Sequence, residues 1–240
     1  VPRPYQLYVD QSYKFISDVV RGCGRVLEVG CGRGDVARLL GREGMSVTGL
    51  DLHLPDPRPS AGVKFVEGDF LRFDEGAKFD AVIFTSSLHH MYPVQAAIDR
   101  AHRLLNPGGI LVADEFDLDA PRPLTARWYY DIQELLAVAD IYPADRVDKA
   151  TNDDPRIRWL DAHVHDPPLA TGRQMLTAIA SRFAIRDTTR CAYLYRYLCN
   201  GLPDDERGGK IASHVFATEQ RRIASAALDA AGLRIVAMSH

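Results

Sequence analysis

The sequence has little of several things that would assign a function quickly. Only four cysteines occur, Cys23, Cys31, Cys191 and Cys199, and no two of them form a CxxC pair. That excludes a disulfide framework and fits a reducing compartment. No run approaches the roughly 18 consecutive apolar residues of a membrane span, and the opening Val1-Pro2-Arg3-Pro4 lacks the apolar stretch of a signal peptide. The expectation is a soluble, cytoplasmic protein with no membrane partner. Positive charge is not in surplus either: 29 Lys and Arg face 32 Asp and Glu, for a net charge of −3, and neither half of the chain is a basic surface. Proteins that track a phosphate backbone concentrate Lys and Arg, so no nucleic-acid partner is expected.

What is present is enough apolar residue, 46% of 240, for one substantial core. Up to residue 120 the chain alternates short β-branched runs with helical patterns, the mark of a parallel sheet covered by helices. Strands are predicted at Arg25 to Val29, Met45 to Leu50, Val63 to Glu67, Phe79 to Thr85 and Gly109 to Glu115. Helices are predicted at Tyr5 to Val20, Asp35 to Arg42 and Val94 to Leu105, the last stopped by Asn106-Pro107-Gly108-Gly109. After residue 120 the alternation breaks down. Helices at Pro123 to Val138 and Thr171 to Phe183 flank a polar, proline-bearing stretch from Tyr142 to Pro168. A strand at Thr188 to Leu198, a helix at Ser213 to Ala231 and a strand at Leu233 to Ala237 close the chain. The expected organisation is a single domain over residues 1–240, with 120–187 inserted after the fifth strand as a substrate-recognition cap.

The run Val26-Leu27-Glu28-Val29-Gly30-Cys31-Gly32-Arg33-Gly34 is the richest in chemistry. A buried strand leads into three alternate glycines, which let the chain turn against a ligand with no Cβ in the way, and a helix follows. A dinucleotide site would space its glycines GxGxxG. Here the spacing is GxGxG with an acid, Glu28, ahead of it, which suits a ligand bearing a positive charge. Cys31 is read as a small residue beside that ligand, not as a nucleophile.

At this point the chain resembles the class I S-adenosylmethionine-dependent methyltransferases, whose first motif, (D/E)xGxGxG, matches Glu28 to Gly34. Further matches follow in order. They are Asp51 in Gly49-Leu50-Asp51-Leu52, Glu67-Gly68-Asp69-Phe70, the segment Phe79 to His90 ending Thr85-Ser86-Ser87-Leu88-His89-His90, and Leu104-Leu105-Asn106-Pro107-Gly108-Gly109. The resemblance implies a Rossmann-like, doubly wound, seven-stranded and mostly parallel sheet with helices on both faces and a helical cap after strand five. It also implies S-adenosylmethionine as cofactor, with S-adenosylhomocysteine as product. Glu28, Gly30, Cys31, Gly32 and Gly34 would then hold the amino-acid end, Asp51 the ribose hydroxyls, Asp69 the adenine amine, and Leu52, Gly68 and Phe70 the ring. Thr85 and Ser86 would face the transferred methyl group.

The reaction mainly needs a lone pair aligned opposite the departing sulfur, and a hydroxyl or carbon acceptor gains from a base near neutral pKa. The candidates are His89 and His90 after the fourth strand, Glu115 and Asp117 after the fifth, and His163 and His165 in the cap if that stretch is extended. No (N/D)PP(Y/F) motif follows strand four, where Thr85-Ser86-Ser87-Leu88 stands, which disfavours the amino-methyltransferases acting on bases or glutamine; no carboxylate occurs between Ile83 and Met91 for a hard cation, so no metal is expected. Tyr8, Trp128, Tyr129 and Tyr195 are candidate acceptor contacts, with alternation placing Tyr193, Tyr195 and Tyr197 on one face of a strand. The leading expectation is methyl transfer to a small molecule with an oxygen, nitrogen or carbon nucleophile, by a monomer or homodimer. A protein or RNA acceptor, a non-catalytic cofactor-binding subunit and a nicotinamide dehydrogenase are the competitors.

Overall fold

The computed structural model describes residues 1–55, 59–148 and 152–239. The elements run α1 (Pro4–Val20), β1 (Arg25–Val29), α2 (Asp35–Arg42), β2 (Ser46–Asp51), β3 (Val63–Glu67), β4 (Phe79–Thr85) and a 3-10 turn at Leu88–His90. Then come α3 (Val94–Leu104), β5 (Leu105–Phe116), α4 (Pro123–Val138), α5 (Pro155–Ala162), α6 (Gly172–Ala180), β6 (Phe183–Cys191), α7 (Leu194–Cys199), α8 (Glu206–Ala224) and β7 (Gly232–Ser239).

Seven strands form one sheet in the order β3-β2-β1-β4-β5-β7-β6. The pairs β1 with β2, β1 with β4, β2 with β3 and β4 with β5 are parallel. Central strands of such a sheet are covered on both faces and read as continuous apolar runs. Accordingly Val26, Leu27 and Val29 of β1 and Ala81, Val82, Ile83 and Phe84 of β4 are buried. Strand order reverses between β1 and β4, so the loops at their carboxyl ends diverge and open a crevice, the usual ligand position in this architecture.

The chain packs as two compact units. One comprises Gln11–Glu115, Ala170–Thr189 and Leu233–His240; the other comprises Val1–Asp10, Phe116–Leu169 and Arg190–Gly232. The first holds most of the sheet and a core from Leu27, Phe79, Phe84 and Ile98 through Met175 and Phe183 to Ile235. Within it Asp114, fully buried, accepts Ser12 Oγ–H at 2.8 Å and Arg234 Nε–H at 3.1 Å, joining α1, β5 and β7. The second unit is mostly helical, around an aromatic core of Phe116, Tyr129, Trp159, Tyr193 and Tyr195.

Three expectations are corrected. Asn106-Pro107-Gly108-Gly109 does not separate α3 from a strand but forms a bulge inside β5: Leu105 pairs with Phe79, and pairing resumes at Ile110 opposite Ala81. Thr188 to Leu198 is not one strand, since β6 ends at Cys191 and α7 begins at Leu194. The long helix starts at Glu206, not Ser213, and ends at Ala224. Its start is set by Asp205, whose side chain accepts the Gly208 N–H at 2.8 Å. Gly208 and Gly209 lie against the Pro203 and Pro2 carbonyls, where any Cβ would overlap backbone. Among the described residues no helix is long and apolar enough to cross a membrane.

Candidate active site

The carboxyl ends of β1, β2, β4 and β5 meet through backbone hydrogen bonds. Gly30 and Cys31 N–H both donate to Leu50 O, at 2.8 and 3.1 Å, and Ser86 N–H donates to Asp114 O at 2.9 Å. Ser87 Oγ–H reaches back to Val29 O at 2.6 Å. The three motif glycines have positive φ, 70° at Gly30, 52° at Gly32 and 73° at Gly34, but they serve different ends. A Cβ on Gly30 would overlap the Ser87 side chain, and one on Gly34 the Phe65 ring; on Gly32 it would meet no protein atom within 4 Å. Gly30 and Gly34 are therefore packing glycines, and Gly32 is the one whose backbone stays open to an approaching group.

Two acids, Asp51 and Glu28, stand beside the Gly32 turn. Asp51 accepts the Gly32 N–H at 2.7 Å and the His53 N–H at 3.1 Å, which fixes the carboxylate at the end of β2. Glu28 is buried in β1, and among the described residues its Oε2 has no partner in hydrogen-bond geometry, although the Thr85 hydroxyl and the Ala37 N–H stand beside the carboxyl. A buried carboxylate oxygen with no donor is costly. Burial pushes the Glu28 carboxyl up to about 8; the Ala37 N–H and the Thr85 hydroxyl oppose that rise, and the charges of Asp35 and Asp51 add to it. An ammonium or hydroxyl donor from a ligand would satisfy this atom, so the residues present fit S-adenosylmethionine. Burial also pushes the Cys31 thiol far up, which is the wrong direction for a nucleophile.

The remaining cofactor candidates sit nearby in sequence order. Asp69 accepts Leu71 N–H at 2.8 Å and has Arg72 Nε at 3.6 Å, so part of its carboxylate closes its own turn. Phe70 is buried edge-on to Phe84 at 5.6 Å, while Leu52 is exposed. Gly68 N–H donates to Asp51 O at 2.8 Å, tying the ends of β2 and β3. Ser86, at φ 52°, carries the strained turn after β4.

Of the candidate catalytic residues, the structure brings two together. Glu115 is fully buried, and its Oε1 accepts the N–H groups of Ser87 at 2.9 Å and Leu88 at 2.7 Å. Its Oε2 lies 2.5 Å from His89 Nδ1. Glu115 is thus not a rim acid for substrate but the group that holds the loop and the His89 ring. His90 is exposed and leans on His89, with ring centroids 4.2 Å apart. His163 and His165 do not alternate along extended chain. His163 caps the C-terminus of α5 and packs on Trp159 at 4.1 Å, with Nδ1 2.8 Å from Trp159 O and Nε2 3.2 Å from Tyr197 Oη. His165 is exposed on the following turn. Asp117 is buried and paired with Arg190 at 2.6 Å. Among the described residues no group of three His, Cys, Asp or Glu side chains is gathered as a metal ion would require.

The four aromatic candidates also differ. Tyr129 and Tyr195 are buried in the core of the helical unit, and Tyr195 packs on Phe216 at 4.6 Å. Trp128 is half-buried on α4 and packs against the aromatic core of the helical unit, and Tyr8 is half-buried against Arg196, 4.7 Å from its ring. Glu219, missed in the sequence, is fully buried and accepts the N–H groups of Tyr193, Leu194 and Tyr195 at 2.8, 2.9 and 2.9 Å. Its spacing carries no local signal, because its partners lie some two dozen residues away.

Comparison with known proteins agrees with this geometry. The model of a methyltransferase domain family matches residues 5–161. An uncharacterized methyltransferase of Mycobacterium tuberculosis is 34% identical over 98 residues, which is 38% of this chain and 50% of the relative. The chain thus matches about half the length of that curated relative. A protein of Pyrococcus horikoshii superposes with TM-score 0.59 at 15% identity, covering 98% of this chain and 92% of the other. The Burkholderia thailandensis 1,6-didemethyltoxoflavin-N1-methyltransferase, solved with 1,6-didemethyltoxoflavin and S-adenosylhomocysteine, superposes with TM-score 0.55 at 19% identity, over 97% of this chain and 78% of that one. The Glu28 to Gly34 turn, Asp51 at the end of β2 and the strand order thus coincide with a family match over more than half the chain, and the protein belongs to the class I S-adenosylmethionine-dependent methyltransferases.

Proposed function

We propose that this chain transfers a methyl group from S-adenosylmethionine to a small-molecule acceptor whose nucleophile loses a proton during the reaction. The observation that carries the reading is the cradle around Gly32: an open glycine, Asp51 fixed by that glycine's N–H, and Glu28 buried with one oxygen that has no partner in hydrogen-bond geometry among the described residues. The cofactor, when bound, supplies an electrophilic methyl group on a sulfonium. Glu28 and Asp51 bind and orient it, and burial of Glu28 keeps bulk water from that end.

His89 is the proton acceptor in this reading. Because Glu115 Oε2 accepts from Nδ1, the ring is held in the tautomer whose other nitrogen, Nε2, carries the lone pair. Glu115 is itself anchored by two backbone N–H groups, so the ring's orientation is set before any acceptor arrives. A hydroxyl or acidic carbon acceptor fits such a base best.

The test is incubation with S-adenosylmethionine and pooled small-molecule acceptors, reading S-adenosylhomocysteine and a mass gain of one methylene on an acceptor. Asp51→Ala should weaken S-adenosylhomocysteine binding at least tenfold, through loss of charge-assisted hydrogen bonds of roughly 1.5 to 3 kcal/mol each. Unchanged affinity would remove Asp51 from the cofactor. Turnover that appears only with protein or RNA fractions, and vanishes on protease or ribonuclease digestion, would overturn the small-molecule assignment.

A further inference from the structure

The helical unit carries a concentration of exposed apolar side chains that no part of its own fold uses. Nine large hydrophobic residues are exposed among the described residues, and six of them, Leu124, Leu135, Val138, Ile157, Leu160 and Val164, lie on or just after α4 and α5. The three on α4 are the most ordered in pattern. Leu124 is 76% exposed, Leu135 67% and Val138 85%.

At about 100° per residue, Leu124, Trp128, Asp131, Leu135 and Val138 fall within an arc of about 80° on α4. The opposite face, with Ala126, Tyr129, Tyr130, Gln133 and Leu136, is buried. Leu124, Leu135 and Val138 thus form a second, exposed apolar face, bordered by Trp128, which also packs on the core, and interrupted at its middle by the single carboxylate of Asp131. Arg127 and Glu134 flank it on one side.

We propose that this face pairs with the same face of a second copy of the chain, α4 against α4 in antiparallel orientation, with the two-fold axis passing near Asp131. The pattern is self-complementary in that arrangement and in no parallel one. Running the second helix backwards about Asp131 sets Leu124 level with the partner's Val138 and Trp128 within one residue of the level of the partner's Leu135. The same register brings Arg127 within one residue of the level of the partner's Glu134 and on the same side of the seam, twice by symmetry, as an isologous interface requires. Glu134 is already held in place by Arg158 at 2.6 Å and stays half-exposed, so it presents an oriented carboxylate. Asp131 meets its own symmetry mate at the axis, a like-charge contact that keeps the pairing weak. One helix pair is at the small end of stable interfaces, so association in the micromolar range is expected.

Sedimentation velocity across a dilution series of the full chain tests this. The expected result is a concentration-dependent dimer that is lost in Leu135→Asp/Val138→Asp. Both positions are solvent-exposed, so the double variant should keep the wild-type melting temperature, which separates loss of pairing from loss of fold. Asp131→Asn should tighten the dimer several-fold by removing the like-charge contact, and Asp131→Cys should form a disulfide-linked dimer under mild oxidation. A wild-type chain that stays monomeric to about 100 μM, an Asp131→Cys that fails to cross-link, or a monomer that instead binds phosphatidylcholine vesicles through Leu135 and Val138 would each overturn the proposal.

Discussion

Glu115 Oε2 lies 2.5 Å from His89 Nδ1 while the same carboxylate's Oε1 takes two backbone N–H groups from the loop on which His89 stands. One buried side chain on β5 therefore determines both the path of the loop after β4 and the tautomer of its histidine. The two effects separate by mutation. His89→Gln should preserve the loop and lower kcat by about 10² to 10⁴ with little change in KM. Glu115→Gln keeps one acceptor oxygen but presents an amide where the ring needs a carboxylate, so kcat should fall with a smaller loss of stability. Glu115→Ala leaves three donors unsatisfied in the interior and should lower the melting temperature as well. Equal activity in His89→Gln and wild type, once an acceptor is in hand, would remove the base.

The three motif glycines should not respond alike to alanine. Gly34→Ala places a methyl group in the Phe65 ring, and Gly30→Ala in Ser87, so both should lose stability and cofactor binding together. Gly32→Ala meets no protein atom and pays only for its positive φ, about 1 kcal/mol, yet it puts a methyl group where the ligand must approach. It should fold close to wild type and bind S-adenosylhomocysteine much more weakly. Thermal melts with and without S-adenosylhomocysteine distinguish the two classes. A Gly32→Ala with an undiminished ligand-induced shift would move the binding surface elsewhere.

The residues that fix the fold in sequence and those that escape it differ for a physical reason. β1, β2 and β4 are buried on both faces, so their apolar runs are visible without knowing their neighbours, and the glycine turn and Asp51 follow at fixed distances. β6 lies at the edge of the sheet with most of its residues exposed, so it has no apolar period, and the tyrosines at 193, 195 and 197 imitate one. Tyr195 and Tyr197 in fact lie on a six-residue helix capped by Tyr193, whose start is held by Glu219, an interaction no local window contains. The same holds for Glu115. Its position at the end of β5 is legible as chemistry, but its burial, and hence its role as an anchor and not a rim acid, depends on a loop 27 residues earlier.

Glu28 makes stability and binding respond to pH in opposite directions. Its carboxyl sits at about 8 in the folded chain against an ordinary 4.5, because burial disfavours the charge. Below pH 4.5 both states carry the proton and no cost arises. Between 4.5 and 8 the unfolded chain gives up the proton and the folded chain keeps it, so this group erodes stability steadily as pH rises, and above 8 the loss is complete. Glu28→Gln lacks this loss, so its unliganded melting temperature should match wild type at pH 4.5 and exceed it at pH 8. A cationic ligand favours the ionised carboxylate, so S-adenosylhomocysteine binding to wild type should release a proton near pH 7 and tighten towards pH 8. Calorimetry in two buffers of different ionisation enthalpy reads that proton directly, and an equal release in Glu28→Gln would assign it to another group.

Glu219 should behave as a structural keystone with no part in the chemistry. Its two oxygens accept the N–H groups of Tyr193, Leu194 and Tyr195 inside the helical unit, where no water replaces a lost partner. Burial pushes its carboxyl up, and the three N–H bonds and the Arg196 charge oppose that rise. Glu219→Ala strands three buried donors at about 1 to 3 kcal/mol each, so a loss of at least about 3 kcal/mol in unfolding free energy is expected. Glu219→Gln retains an acceptor for one or two of them and should fall between. Neither change touches the Gly32 cradle, which lies in the other unit, so at temperatures where each variant is folded S-adenosylhomocysteine affinity should equal wild type. A Glu219→Ala variant that melts with wild type would mean that α7 finds its N-terminal partners elsewhere, and one that folds but loses the cofactor would tie α7 to the binding site.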